Sequence, residues 1–62
     1  MFFIYEIINN QYFSTGSKEL LEDAKKVADR LSKRVKERGF NHTFVVKENG
    51  NPDILYSIPS PR

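Results

Sequence analysis

One amphipathic stretch, from Ser17 to Phe40, limits the folds open to this 62-residue chain more than any other feature. At 100° per residue, its apolar positions fall within an arc of about 120°, the pattern of a helix packed on a core. The spacing therefore predicts one long helix with a single apolar stripe. The residues of this stripe are Leu20, Leu21, Ala24, Val27, Ala28, Leu31 and Val35.

Both ends of this helix have signals in the sequence. Ser17 is the expected N-cap, with its hydroxyl accepting a free backbone N–H. Gly39 suits the left-handed C′ position, which makes Phe40 the C″ residue and Val35 the C3 residue of a Schellman stop. We predict a helix from about Lys18 to Arg38, roughly 31 Å long. Acidic residues also favour the first turns, where the helix dipole attracts anions; they are Glu19, Glu22 and Asp23.

The N-terminal segment reads as a hairpin. Phe2 to Ile8 is rich in aromatic and β-branched residues, Asn9-Asn10 suits a tight turn, and Gln11 to Ser14 returns as a shorter strand. Two registers remain open, and both leave two apolar faces. A two-residue loop places Phe3, Tyr5, Ile7 and Tyr12 on one face and Phe2, Ile4, Ile8 and Phe13 on the other, whereas a three-residue loop exchanges Tyr12 and Phe13.

A second hairpin follows the helix. Asn41 to Lys47 and Asp53 to Ile58 read as strands, and Asn49-Gly50 between them is a strong turn signal. Pro52 belongs beside the turn or on an edge because it cannot donate to a strand ladder. A regular pairing predicts one face with Phe44, Val46 and Leu55, and another with Thr43, Val45, Ile54, Tyr56 and Ile58.

These segments predict an α+β fold in the order strand, strand, helix, strand, strand. One long helix packs on one face of a four-stranded, mainly antiparallel sheet. Residues 1–58 form a single small domain, and residues 59–62 form a flexible tail. The strand order and the face under the helix stay open. The layout resembles that of several families of very small bacterial and phage proteins.

The composition excludes two common ways of stabilising so small a chain. There is no cysteine and only one histidine, which excludes disulfides and a Cys/His zinc site. Domains of this size bury a small core, so oligomerisation or very regular packing must compensate. This favours a homodimer. The N-terminus lacks a secretory signal, and its apolar run is too short for a membrane span, so we expect a cytoplasmic protein with no membrane contact.

Catalytic chemistry has little support. His42 is the only histidine, and no motif supplies an acid, nucleophile or orienting partner for it, so a structural strand-end role is favoured. The carboxylates are scattered, and each glycine has a turn or cap explanation. We therefore predict that the protein is not an enzyme and uses no metal, cofactor or small-molecule substrate.

The helix carries one unusual surface feature, a line of basic residues. They are spaced four apart, so they form a continuous ridge that suits phosphates or an acidic protein surface. The alternative is a solvated flank, with Arg34 and Arg38 extending over the edge of the apolar stripe. The basic ridge consists of Lys26, Arg30, Arg34 and Arg38.

The aromatic residues mark a second surface. All eight lie outside the helix, and one helix about 10 Å across cannot cover a sheet about 19 Å wide. Exposed apolar patches on a sheet usually mark interaction surfaces. The candidates for a protein or dimer interface are Tyr5, Tyr12, Phe13 and Tyr56.

We therefore predict a non-enzymatic, regulatory binding module. It acts through protein–protein contacts of its sheet face or a sheet edge, as a homodimer or with another protein. The alternative is a nucleic-acid-binding protein that uses the basic ridge. Bases stacked on the sheet are less favoured, because the sheet supplies only Lys47 as a cation.

Overall fold

The structure, a computed structural model, describes residues 1–59 and confirms the predicted order of elements. The four strands form one antiparallel sheet in the order β2-β1-β3-β4, with α1 packed on one face. The predicted tail begins at Pro59, and residues 60–62 lie outside the described part. The elements are β1 (Phe2–Ile8), β2 (Gln11–Lys18), α1 (Leu21–Glu37), β3 (Thr43–Glu48) and β4 (Ile54–Ile58).

The strand order places the first strand of each hairpin in the centre of the sheet. β1 pairs antiparallel with β3, from Phe2 opposite Glu48 to Ile7 opposite Thr43. The second strands, β2 and β4, form the two edges. This pairing joins two hairpins that would each be marginal alone.

The first hairpin has the two-residue loop. Asn9 and Asn10 adopt left-handed conformations, with φ of 51° and 66°, and Ile8 pairs directly with Gln11. Two successive residues with positive φ match the twist of the flanking strands, and asparagine tolerates this conformation. Tyr12 therefore shares a face with the odd-numbered residues of β1.

The start of the helix differs from the prediction. β2 does not stop at Ser14 but continues to Lys18, with Ser17 paired to Phe3 in the ladder. Thr15 is the extra residue of a β-bulge, and its hydroxyl donates to the Ile4 carbonyl at 2.9 Å. Ser17 as N-cap was wrong because extending the ladder satisfies more backbone groups than one capping bond.

The helix consequently begins at Leu21 and has 17 residues, about 25 Å at 1.5 Å per residue. Leu20 is the N-cap and makes no side-chain capping hydrogen bond. It is 62% exposed, so the first residue of the predicted stripe does not reach the core. Glu22 and Asp23 occupy the first turn, as expected, whereas Glu19 precedes the helix.

The end of the helix matches the predicted Schellman stop. The Phe40 N–H donates to the Val35 carbonyl at 3.0 Å, and the Gly39 N–H donates to the Lys36 carbonyl at 3.0 Å. Gly39 has a φ of 86°, the left-handed conformation that this motif requires. Phe40 itself is exposed and stacks on His42.

The second hairpin contains a bulge that changes its face assignment. Next to the turn, Lys47 pairs with Ile54, so Ile54 lies on the face that the sequence predicted for it. The register then shifts at Leu55, so Val46 pairs with Tyr56 and Phe44 with Ile58. The prediction that Tyr56 and Ile58 oppose the Phe44 face was wrong, because one extra residue in β4 reverses the alternation.

The core lies between α1 and the face of the sheet that carries Ile4, Phe44 and Val46. These side chains and Ala24 and Ala28 of the helix are buried. Two alanines at the contact let the helix approach the sheet closely. Larger apolar side chains surround this centre and are partly buried: Phe2, Leu21, Val27, Leu31, Val35, Tyr56 and Ile58.

The helix stop predicts the effect of replacing Gly39. A Cβ added there would meet no atom within 4 Å, so the effect of Gly39→Ala comes from backbone strain alone. We expect a loss of about 1–2 kcal/mol in unfolding free energy, measured by urea denaturation. Gly39→Asn is the matched control and should lose less, since asparagine tolerates this conformation. Equal stability of the alanine variant and the wild type would contradict the assignment.

Candidate interaction surfaces

The face of the sheet opposite the helix, called here the open face, is covered by no element within residues 1–59. β1 contributes Phe3, Tyr5 and Ile7 to it, as follows from their alternation with the buried Ile4. Val45 also lies on this face, between Tyr5 and Ser57 in the ladder, and is only 1% exposed. The open face therefore has an apolar centre bordered by polar residues, and within residues 1–59 no second layer lies over it. The polar residues are Ser14, Ser17, Thr43, Lys47 and Ser57.

Two tyrosines meet on the open face. The ring centroids of Tyr5 and Tyr12 lie 6.1 Å apart at 74°, an edge-to-face arrangement that aromatic pairs favour. The Lys47 amine lies 5.9 Å from the centroid of the Tyr12 ring. Tyr12 is 53% exposed although it makes both contacts. This cluster offers aromatic area with polar groups at its margin.

The other two interface candidates lie elsewhere. Phe13 pairs with Glu6 and so belongs to the helix side of the sheet, on the edge strand, where it is 45% exposed. Tyr56 faces the helix, where its hydroxyl donates a hydrogen bond to an Asp29 carboxylate oxygen. The Lys25 amine lies 5.5 Å from the Tyr56 ring centroid. The four aromatic candidates therefore do not form one surface.

The Tyr56 contact changes the acidity of the phenol. Its hydrogen bond to Asp29 is the main reason why the pKa of Tyr56 lies above its usual value of 10.0. Desolvation and the negative charge of Asp29 act in the same direction. Each of these effects disfavours the phenolate. The contact fastens the middle of α1 to the edge strand β4.

All four residues of the basic ridge are exposed. Lys26, Arg30 and Arg34 lie on α1, and Arg38 is its C-cap. Among residues 1–59 the one contact within salt-bridge distance joins Glu6 and His42, so no ridge residue has a carboxylate that close there. Asp29, a neighbour of Lys26 in sequence, is engaged by Tyr56 instead.

The ridge runs from the solvent side of the helix, at Lys26, round to its β2 side, at Arg34. Lys25 and Asp29 contact Tyr56, so their flank of α1 faces β4. Arg30 and Arg34 lie about 100° and 140° further round the helix from Asp29. Since β2 is the edge opposite β4, Arg34 faces the side of the sheet that ends in β2, whereas Arg30 lies about 160° round the helix from the buried Ala28 and points mainly away from the sheet.

A third group was not predicted. His42 Nδ1 lies 2.6 Å from Glu6 Oε2, and the Phe40 ring stacks on the imidazole with centroids 5.4 Å apart. The contact ties the loop after the helix to the central strand β1. The sequence did contain one signal for this contact: Glu6 is the only charged residue of β1, and it shares a face with Ile4. Strand pairing alone could bring it to His42, which lies 36 residues away.

His42 also lines a cleft of about 260 Å³ between the end of α1 and β4. Lysines from the exposed side of the helix, Lys33 and Lys36, share this cleft with Phe40 and Ile58. Within residues 1–59, no three His, Cys, Asp or Glu side chains are grouped so that they could hold a metal ion. No helix in that part of the chain combines the length and apolar character needed to cross a membrane.

Comparison with protein-family models, curated proteins and solved structures found no match to this chain.

The raised pKa of Tyr56 predicts a specific dependence of stability on pH. A raised folded-state pKa adds stability that is fully present below about pH 10 and is lost as pH rises through the folded pKa. At neutral pH, we expect Tyr56→Phe to lower the unfolding free energy by about 0.5–1 kcal/mol, the net value of one hydrogen bond.

The difference between wild type and Tyr56→Phe should shrink to zero in strongly alkaline solution. Urea denaturation from pH 7 to pH 11 measures it, and the lysines, which titrate in both proteins, cancel in the comparison. A difference that stays constant over this range would contradict the role of the Asp29 contact.

Proposed function

We propose that the protein is a non-enzymatic binding module and that its open face joins a second copy of the chain in a homodimer. The observation that supports this most is the uncovered aromatic layer around Tyr5 and Tyr12. Among residues 1–59, the one cation on this face is Lys47, which lies beside the Tyr12 ring. A neutral, aromatic sheet face suits a surface of the same kind, since two sheets pack face to face about 10 Å apart.

The small core supports the same proposal. Within residues 1–59, six apolar residues are buried in the single chain, and two of them are alanines. Stacking two open faces would place Phe3, Tyr5 and Ile7 of each copy inside a second apolar layer. This adds the burial that a 62-residue chain lacks when it is alone.

The size of the open face sets the expected affinity. Four strands span about 19 Å, and the seven residues of β1 span about 23 Å, so each face offers about 440 Å² in projection. Two such faces total about 880 Å² in projection, below the roughly 1,200–2,000 Å² that stable specific interfaces bury. We expect a dissociation constant in the micromolar range, equivalent to about −8 kcal/mol.

The dimer predicts the effect of a charge on the open face. Tyr12→Glu would bury an unpaired carboxylate in the dimer, so we expect a monomer at concentrations where the wild type is dimeric. The fold should survive, because Tyr12 is half-exposed on an edge strand and lies outside the buried cluster. Analytical ultracentrifugation from 10 µM to 1 mM measures the association.

Leu20→Glu is the matched control, because Leu20 is an exposed apolar residue away from the open face. It should leave the dimer intact. A wild-type monomer at 1 mM, or equal association of the Tyr12→Glu variant and the wild type, would contradict the proposal.

Nucleic acid is the second candidate partner, and it would bind the helix rather than the sheet. Its support is the exposure of the basic ridge and the lack of a carboxylate partner for it within residues 1–59. Such binding depends strongly on salt, because each neutralised phosphate releases counterions.

This alternative predicts a mobility shift with a 20-nucleotide RNA or a 20-base-pair DNA at 20 mM salt. The double variant Arg30→Gln/Arg34→Gln should weaken binding and lower the slope of log affinity against log salt by about two. Lys33→Gln/Lys36→Gln removes the same charge from the β4 side and should have less effect. Absence of any shift would eliminate nucleic acid as the partner.

A further inference from the structure

We propose that the outer edge of β2 accepts an extended segment of a partner protein as a fifth strand. The side chains of this segment on the helix side would be acidic and would meet the arginines of α1. The inference extends the binding function to a second surface and does not require the homodimer, because stacking of open faces leaves the β2 edge free.

The two edges of the sheet differ in how well they are protected. β4 has five residues, follows Pro52 and Asp53 directly, and is bulged at Leu55. Short length, proline, charge and bulges are the devices by which proteins protect an edge strand. β2 has eight residues, all exposed, and its segment from Gln11 to Ser14 is regular. Its outer edge pairs with no other strand of residues 1–59.

The unpaired edge of β2 presents backbone donors and acceptors to solvent. A partner strand can use these groups for main-chain hydrogen bonds, which supply affinity with little dependence on sequence. The neighbouring side chains then select the partner. The bulge at Thr15 limits the regular contact to about four or five residues.

The direction of the helix brings the arginines to the end of the sheet that holds the regular part of this edge. α1 follows β2 directly and ends before β3, whose first residue Thr43 pairs with Ile7. The helix therefore runs back along the sheet, so its C-terminal half reaches the end of the sheet at which β2 begins. That half lies beside β4, where Lys33, Lys36 and Ile58 line one cleft, and Phe13 on the helix side of β2 is left 45% exposed. Arg34 occupies the flank of that half that faces β2, and Arg30 lies about 40° further from the sheet.

The distances suit a contact between this flank and an added strand. Each strand occupies about 4.8 Å, so β2 lies about 7 Å and an added strand about 12 Å from the middle of the sheet. A helix with its side chains has a radius of about 5–6 Å. Long side chains from the flank and from the added strand extend towards each other across the remaining gap.

The charges on this side define the partner. Arg30, Arg34 and Arg38 are positive and Glu37 is a single carboxylate near Arg34, whereas Lys18 and Asp23 both lie at the far end, where the helix begins. The net positive charge faces the positions that every second residue of an added strand would occupy. Acidic residues there would form charge-assisted hydrogen bonds with guanidinium groups. The intervening residues would lie beside Tyr12 and favour apolar side chains.

A protein strand fits this site better than nucleic acid does. A phosphate backbone would use the arginines but would leave the donors and acceptors of the β2 edge unpaired. An acidic strand uses both features at once.

The test uses a fluorescent decapeptide that alternates glutamate and valine, with a lysine–valine peptide of the same length as its control. Fluorescence anisotropy at 150 mM salt with 5 µM protein should show binding of the acidic peptide and at least tenfold weaker binding of the basic one. Arg30→Gln/Arg34→Gln should weaken acidic-peptide binding about tenfold, whereas Lys33→Gln/Lys36→Gln should change it less than twofold. All four residues are exposed on the helix, so both variants should fold.

Amide hydrogen exchange tests whether the peptide adds as a strand. The amides of Tyr12 to Ser14 should exchange more slowly when the acidic peptide is bound, and those of Ile54 to Ile58 should not change. Protection confined to the helix would overturn strand addition.

Three other results would overturn the proposal. They are equal binding of the two peptides, equal effects of the two double variants, and binding of RNA but not of peptide through Arg30 and Arg34. Protection of β2 amides that rises with protein concentration, without peptide, would assign the edge to a second copy and would also overturn it. Sedimentation of the Tyr12→Glu variant reports separately on the open-face dimer.

Discussion

The antiparallel pairing of β1 with β3 is the contact on which the rest of the structure depends. It joins residues more than 35 positions apart and turns two hairpins into one sheet. The same pairing sets Ile4 beside Val46, which completes the apolar surface that Ala24 and Ala28 cover. It also brings Glu6 to His42 and assigns β2 and β4 to the edges.

Two bulges then determine where several aromatic and apolar side chains lie. Beyond the bulge at Thr15, β2 continues to pair with β1 as far as Lys18. The helix therefore begins later than predicted, and Leu20 is left in solvent. The bulge at Leu55 turns Tyr56 towards the helix, where Asp29 accepts its hydrogen bond. Each bulge moves aromatic or apolar groups by a single residue, and a single residue is enough to exchange faces.

The two proposed contact surfaces are compatible in one molecule. The open face is neutral and aromatic, and it lies on the opposite side of the sheet from the helix. The β2 edge lies in the plane of the sheet, with the arginines of α1 above it. A second copy on the face and an acidic strand at the edge would therefore approach from different directions. The positive charges of α1 lie on the helix side of the sheet, away from the open face that is proposed to form the dimer.

Local signals in the sequence determined the order and type of the elements, the turn at Asn9-Asn10, the Schellman stop at Gly39 and the spacing of the basic ridge, but they left the length of the Asn9-Asn10 loop open between two and three residues. Each depends on backbone preference or periodicity within a few residues, which is why it could be predicted. Only the tertiary structure decided the strand order, both bulges, the start of the helix and the partners of Glu6 and Tyr56. These depend on competition between local hydrogen bonds and pairing with distant strands, so Ser17 entered the ladder although it is a good capping residue.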